Sequence, residues 1–307
     1  FGAAALADCG EAALADALPR EADGLGINLL RAGVRGADAV TTVSPTYADE
    51  ILTPQFGMGL EPDLQARSAD LIGILNGADY GVWDPSRDTL IERHYDARDS
   101  SGKRDCRADL MRSLGLGLPD DVPIAGVVSR LVEHKGIDLL LGALPGLVAS
   151  GRLALAILGD GDDELATGLE DLVARFPERV GFSRGYDDPL AHRIIAGSDL
   201  FLVPSRYEPC GLTQMYALRY GTVPVVRKTG GLADTVSHFD PATGEGNGSV
   251  FLDADANGLR WATDTALGWF EDRDTWQRLQ QNGFAADFGW PRQAREYAAF
   301  YRGLVGG

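Results

Sequence analysis

Short apolar runs alternate along the chain with longer segments whose apolar positions recur at helical spacing. The runs predict strands at residues 39–43, 71–75, 124–128, 153–158, 180–182, 200–203 and 223–226. Helical spacing predicts helices at 136–148, 163–175, 190–196, 212–220 and 256–270, one near 104–114, and two over 274–301 that separate near Pro291.

Two of these strands, 124–128 and 153–158, are apolar throughout. Such runs are typical of parallel strands that helices cover on both faces. Repeated strand–helix–strand units therefore predict an α/β fold with a doubly wound parallel sheet from about Asn76 onward. In such sheets, ligands bind beyond the carboxyl ends of the strands.

Composition narrows the function further. The 307 residues include 28 Lys and Arg against 45 Asp and Glu, a net charge of −17. This acidity disfavours a general nucleic-acid binder and an anionic membrane surface as partners. No apolar run reaches the length of about 18 residues that a spanning helix requires. The three cysteines match neither a disulfide framework nor a zinc pattern, so we expect a cytoplasmic protein.

The first candidate site follows strand 124–128, in the sequence SRLVEHKG at 129–136. Arg130 leaves the strand, and Lys135 lies just before a predicted helix. Two cations near a helix amino terminus suit a phosphate group. A surface loop with ordinary charges is the alternative, and this loop alone does not decide between them.

A second candidate follows strand 200–203, where Pro209 and Gly211 shape a tight loop before a helix. The N–H groups near Gly211 and Thr213 would form an anion site. The upstream Glu208 would contact something other than phosphate, such as a sugar hydroxyl. The alternative is an ion pair of Glu208 with Arg206 or Arg219.

A third turn follows strand 223–226 and again combines glycines with two cations, Arg227 and Lys228. Three such turns at one sheet edge exceed what packing requires, so together they predict an anion pocket. A fourth segment, GDGDDE at 159–164, offers Asp160 and Asp162 either as metal ligands or as helix caps, and the cap is favoured.

Three single residues complete the candidates. His192 lies in a helical pattern and is expected to be structural. Cys210, between Pro and Gly, is expected to be a small buried thiol. Tyr186, after strand 180–182, is a candidate base-stacking platform, with a core aromatic as the alternative.

The segments 129–136 and 185–234, together with SPTY at 44–47 and NGAD at 76–79, closely resemble bacterial glycogen synthase and plant starch synthase. EPCGLTQ at 208–214 and KTGGLAD at 228–234 are the most specific. The resemblance covers the chain from about Ile27, and residues 1–26 do not match. It implies a GT-B type fold of two facing Rossmann-like domains. Other retaining transferases of this architecture often carry a second Glu where this chain has Tyr216, a deviation that glycogen synthases share.

The resemblance implies retaining transfer of glucose from ADP-glucose to the non-reducing end of an α-1,4-glucan, without a metal or other cofactor. Arg130 and Lys135 would hold the diphosphate, and Glu208 would support the transition state. The other implied donor contacts are Asn76, Tyr186, Cys210, Gly211, Leu212 and Thr213, with Tyr186 against adenine and Asn76 near glucose.

The family's amino-terminal donor loop and catalytic His have no counterpart in this chain. We therefore expect residues 1–75 to be the end of an amino-terminal domain, 76–288 the nucleotide-sugar domain, and 289–307 a helix that returns to the missing domain. The chain by itself would be inactive without that domain. A non-catalytic nucleotide-sugar module and a UDP-sugar transferase remain the alternatives.

Overall fold

The computed structural model describes residues 26–306. The amino-terminal segment holds a small parallel sheet of β1 and β2 with three short helices, α1 to α3. Their bounds are α1 Leu29–Gly36, β1 Val40–Thr42, α2 Pro45–Glu50, α3 Glu61–Ala66 and β2 Leu71–Gly73, with a 3-10 turn at Ser68–Asp70. Ser44 caps α2 by accepting a hydrogen bond from the Tyr47 N–H.

The remaining chain alternates strands and helices. After α4 Gly102–Leu114 come β3 Ile124–Val128, α5 Ile137–Ala143, α6 Pro145–Ala149, β4 Ala154–Gly159, α7 Asp163–Arg175, β5 Val180–Arg184, α8 Asp188–Gly197, β6 Leu200–Val203, α9 Thr213–Arg219, β7 Val223–Arg227, α10 Gly230–Thr235, β8 Ser249–Phe251, α11 Ala256–Glu271, α12 Arg273–Ala285 and α13 Trp290–Val305. A 3-10 turn, Glu133–Lys135, precedes α5.

These strands form one parallel sheet in the order β5-β4-β3-β6-β7-β8. The chain starts at β3, extends outward to β5, and then returns to build the other half from β6. The direction of winding therefore reverses between β3 and β6, the place where doubly wound sheets bind ligands. The predicted doubly wound parallel sheet is confirmed.

Alternate residues of each central strand supply two separate cores. In β4, Leu155 and Ile157 pack on one face with α5, α7 and α11, while Ala154, Ala156 and Leu158 pack on the other with α4 and α8. Because both faces are covered, the strand is fully buried and its sequence is apolar at every position.

The structure differs from the local predictions in several places, and helices α1, α2, α3 and α10 were not predicted. The helix expected over 136–148 is two helices, because Pro145 has no N–H to continue the first one and instead begins the second. Strand β8, Ser249–Phe251, was not predicted; it has three residues and gains its hydrogen bonds from β7. Within residues 26–306, no helix combines the length and apolar character needed to cross a membrane.

The last helix lies against the start of the main sheet domain. Its first residue, Trp290, packs on Gly77, and its N–H donates to the Ala78 carbonyl over 3.3 Å. Farther along α13 the apolar side chains Tyr301, Leu304 and Val305 are exposed.

Candidate functional site

The loops after β3 and β6 are locked together at the reversal point. Gly136 has a φ of 71°, and a Cβ there would overlap the carbonyl oxygen of Pro204. The Arg206 N–H donates to the His134 carbonyl over 2.8 Å. Only glycine combines this backbone conformation with so close an approach, which explains why Gly136 follows Lys135.

Lys135 and Glu208 meet across these two loops. The Lys135 ammonium donates to the Glu208 carboxylate, which also accepts a hydrogen bond from Ser205 Oγ over 3.1 Å. Their side chains are only 19% and 10% exposed. The predicted alternative, in which Glu208 pairs with Arg206 or Arg219, is wrong.

The two arginines have other carboxylate partners. Arg206 binds Asp138 through two hydrogen bonds of 2.7 and 2.6 Å, and Arg219 binds Asp84 at 2.6 Å. The bidentate pair with Arg206 lowers the pKa of Asp138. Arg206 thus fastens the β6 loop to α5, which leaves the Glu208 carboxylate to Lys135 and Ser205.

A cavity of about 360 Å³ opens between these loops. Apolar residues of β3, β6 and α5 line it together with groups from the loops after the two strands, namely Ser129, Arg130, Lys135, Ser205, Glu208, Gly211, Leu212 and Thr213. Helix α9 begins here at Thr213, and within the described chain no side chain caps it. The two cations and the helix amino terminus therefore converge on one pocket, as the sequence predicted.

The cavity lining carries two cations, Arg130 and Lys135, against one carboxylate, Glu208, although the chain as a whole is acidic. Burial, followed by the charges of Lys135 and Arg130, lowers the pKa of His134, so this imidazole is neutral near pH 7. Arg130 is exposed and forms no ion pair with any residue in 26–306. A cleft with an excess of positive charge attracts an anionic ligand.

The third turn, after β7, packs against the Glu208 loop, but its two cations, Arg227 and Lys228, do not line the cavity. Arg227 donates to the carbonyls of Leu252 and Arg206, and Lys228 lines a separate groove of about 810 Å³. The expectation that these cations join the anion site is therefore wrong. The turn's glycines, Gly230 and Gly231, instead pack directly on the backbone of the Glu208 loop.

Cys210 and Asn76 are in contact with each other, and neither lines the cavity. Burial raises the pKa of the Cys210 thiol to about 11, against the opposing effect of a hydrogen bond from the Asn76 backbone. The thiol is therefore protonated at neutral pH and suits the predicted packing role. Tyr186 is 92% exposed, so the core alternative is wrong, and it does not line the cavity.

The remaining candidates have structural roles. Asp162 caps α7 by accepting from the N–H groups of Glu164 and Leu165, as favoured by the sequence. Asp160 pairs with Arg184. His192 is buried and hydrogen-bonded through Nδ1 to Asp88 over 2.7 Å. Within residues 26–306, no group of three or more His, Cys, Asp or Glu side chains is placed to hold a metal ion.

Two contributors to the site were missed from sequence. Ser205 directly supports the Glu208 carboxylate, and Asp138 anchors Arg206. The position of Ser205, two residues after a buried strand, was an available signal. No sequence signal distinguished Asp138, because an acidic residue in the first turn of a helix is already explained by its favourable interaction with the helix dipole.

Two family models, curated relatives and a solved structure match this chain. The glycosyl transferases group 1 family matches residues 115–284, and the starch synthase catalytic domain family matches residues 9–66. The second match includes residues 9–26, so the resemblance begins earlier in the chain than the expected Ile27. The catalytic domain of starch synthase IV from Arabidopsis thaliana, bound to ADP and acarbose, has a TM-score of 0.87 at 35% identity, over 94% of this chain and 60% of that one.

The curated relatives are longer than this chain. Glycogen synthase from Anaeromyxobacter dehalogenans (strain 2CP-1) is 50% identical over 92% of this chain, and that from Rhodospirillum rubrum is 49% identical over 92%. In each case the match spans 58% of the relative. The fold is the predicted GT-B type, with its parallel sheet and flanking helices. With more than half of its residues matched by the family, the chain belongs to the group 1 glycosyl transferases.

Proposed function

We propose that this chain is the nucleotide-sugar-binding part of a glycogen synthase, a cytoplasmic enzyme that transfers glucose from ADP-glucose to the non-reducing end of an α-1,4-glucan with retention of configuration. The observation that carries the proposal is the pocket in which Arg130 and Lys135 face Glu208 at the winding reversal. The similarity to glycogen synthases supports the same substrates.

The two cations have a direct chemical use. As the bond from glucose to the diphosphate breaks, negative charge grows on the leaving phosphate. Fixed positive groups stabilise this charge without reorganisation, and one such group typically contributes about 3 kcal/mol. Arg130 and Lys135, with the first N–H groups of α9, would supply that stabilisation without a metal ion.

Glu208 would act on the positive charge that develops on the sugar during transfer. The anomeric carbon becomes electron-poor when the leaving group departs, as in other glycosyl transfers. A carboxylate held at the pocket wall by Lys135 and Ser205 would stabilise that carbon. Gly211, Leu212 and Thr213, which line the pocket, would contact the sugar and phosphates, and the exposed Tyr186 would cover the adenine. Asn76 and Cys210 lie outside the cavity lining and would support these contacts from behind the loop.

Calorimetry on the chain tests this proposal. We expect ADP-glucose to bind, UDP-glucose to bind more weakly, and a chelator to leave both affinities unchanged. Equal or tighter binding of UDP-glucose would favour a UDP-sugar transferase, and loss of binding with chelator would require a metal.

Transfer to maltoheptaose would then be assayed with a separately produced amino-terminal domain of a close relative added to the chain. We expect the chain alone to be inactive and the mixture to transfer glucose. Tight ADP-glucose binding without transfer in the mixture would favour a non-catalytic binding module.

A further inference from the structure

We propose that Glu50, on α2 in the amino-terminal segment, is a positioning residue that holds the Glu208 loop in place through the turn after β7. The inference rests on the function proposed above for Glu208. It assigns to the amino-terminal segment a direct part in shaping the donor pocket, although Glu50 does not line that pocket.

Glu50 grips the turn by its carboxylate. One oxygen, Oε1, accepts hydrogen bonds from Thr229 Oγ1 over 2.8 Å and from the Gly230 N–H over 2.9 Å. The other oxygen, Oε2, is buried and has no hydrogen-bond partner within residues 26–306. Burying an unpartnered carboxylate oxygen costs free energy, which reduces the net stabilisation from the two hydrogen bonds.

The gripped turn interlocks with the loop that carries Glu208. A Cβ on Gly230 would overlap the Glu208 carbonyl oxygen, and one on Gly231 would overlap the Cys210 carbonyl oxygen. The Gly231 N–H also donates to the Glu208 carbonyl over 3.2 Å. Because the two backbone segments are in direct contact with no space between them, a shift of the turn would also move the backbone of Glu208 and Cys210.

The amino-terminal segment also contacts Tyr207, the residue that precedes Glu208. The hydroxyl of Tyr47 is hydrogen-bonded to that of Tyr207, and Phe56 stacks on the Tyr207 ring at 5.9 Å between centroids. Tyr207 directly precedes Glu208. The amino-terminal segment therefore fixes the loop at two points, one before Glu208 and one behind it.

A neighbouring contact supplies the matched control. Thr46 Oγ1 donates to Asp234 over 2.6 Å, and this bond joins the same two helices, α2 and α10. It does not touch the Gly230–Gly231 turn. Thr46→Val therefore weakens the docking of α2 and leaves the proposed linkage to Glu208 intact.

Thiol labelling, read per cysteine by mass spectrometry, tests the linkage without any ligand. Cys210 and Cys106 are both buried, so Cys106 reports general loosening. Since Glu50→Ala removes two hydrogen bonds, we expect it to speed Cys210 labelling by about tenfold or more, with Cys106 unchanged. Glu50→Gln, which can still accept both bonds, and Thr46→Val should change the Cys210 rate by less than about threefold. Unchanged labelling of Cys210 in Glu50→Ala, or equal acceleration of both cysteines, would overturn the proposal.

Ligand affinity tests the consequence for Glu208. Because Glu208 is proposed to face the glucosyl group, Glu50→Ala should weaken ADP-glucose by about tenfold and ADP by less than about threefold, with Glu50→Gln restoring most of the loss. A general structural defect would weaken both ligands equally, and that result would overturn the positioning role. If the unmodified chain bound neither ligand, the proposed function would fail, while the labelling result would still decide the linkage.

Discussion

Two clusters of polar side chains lie near the sheet, and they differ in how they are closed. In the first, Lys135, Glu208 and Arg130 border an open cavity at the winding reversal. In the second, Asp88 is buried and accepts hydrogen bonds from His192 Nδ1 at 2.7 Å and from Tyr220 OH at 2.5 Å. The Trp83 ring stacks on the His192 ring and covers the cluster on that side.

The residue types do not separate the two clusters. Each joins a mostly buried carboxylate to a mostly buried nitrogen group, Glu208 to Lys135 in the first and Asp88 to His192 in the second. They differ in placement, because the first lies on glycine-containing loops beyond strand ends, whereas the second joins the segment after β2 to α8 and α9. A polar cluster that protein surrounds completely can only stabilise the fold. A polar cluster that borders a cavity at the end of a strand can also bind a ligand.

The largest expected effect concerns the closed cluster. Asp88→Ala leaves His192 and Tyr220 buried without their acceptor, which should lower the free energy of unfolding by about 3–5 kcal/mol. Urea denaturation measures the change. The matched control is Asp105→Ala, which removes an exposed pair with Arg93 and should cost far less stability. Equal losses for the two variants would contradict the structural role of Asp88.

Acid should weaken the same cluster. Burial by itself would raise the pKa of Asp88, but hydrogen bonds from His192, Tyr220 and the Leu90 N–H outweigh it and lower the pKa below the ordinary 3.8. A carboxyl with a lowered folded-state pKa contributes stability above the unfolded value, and this contribution is lost as pH falls through the folded value. Stability should therefore decrease below about pH 4. Asp88→Asn should flatten this acid decline in denaturation curves, and an unchanged decline would exclude Asp88 as its source.

The open cluster should respond in binding more than in stability. Lys135→Ala removes a charge-assisted contact to the diphosphate and should weaken ADP-glucose by about tenfold or more in calorimetry. Lys135→Ala should lower the free energy of unfolding less than Asp88→Ala does. In Lys135→Ala the Glu208 carboxylate still accepts the hydrogen bond from Ser205 and still borders the open cavity. Lys228→Ala, in the separate groove, is the control and should leave the affinity unchanged. A loss of the same size in both variants would argue that net charge, and not the pocket, determines binding.

The smallest effect is expected for a pair that belongs to neither cluster. Arg152 and Asp264 form an ion pair of 2.7 Å, with both side chains more than a third exposed. Arg152→Ala should change the free energy of unfolding by about 0.2–1 kcal/mol and leave ADP-glucose binding unchanged. A larger loss would show that exposure is a poor guide to the energetic weight of polar pairs in this fold.

Much of the fold was predictable because local patterns agreed with the tertiary environment. Strands β3 and β6 and helix α7 have the predicted bounds, since their apolar residues are buried and their ends carry turn or cap residues. Strand β8, Ser249–Phe251, was not predicted. Pro145 divided a helix whose apolar pattern runs through it.

The candidate site divides in the same way. Arg130, Lys135, Glu208 and Gly211 could be selected from sequence because each follows an apolar strand. The partner of Glu208 could not, since Lys135, Arg206 and Arg219 were all available cations. The contact of Glu50 with Thr229 and Gly230 was also beyond sequence, because 179 residues separate Glu50 from Thr229.

By itself, the sequence determined the strand–helix alternation and the glycine-containing turns with their cations, because apolar periodicity and backbone freedom are local properties. Only the tertiary structure decided the strand order β5-β4-β3-β6-β7-β8, which makes the β3 and β6 loops neighbours and sends the β7 cations elsewhere. That order depends on which buried faces pack together across the whole chain, and no short segment contains that information.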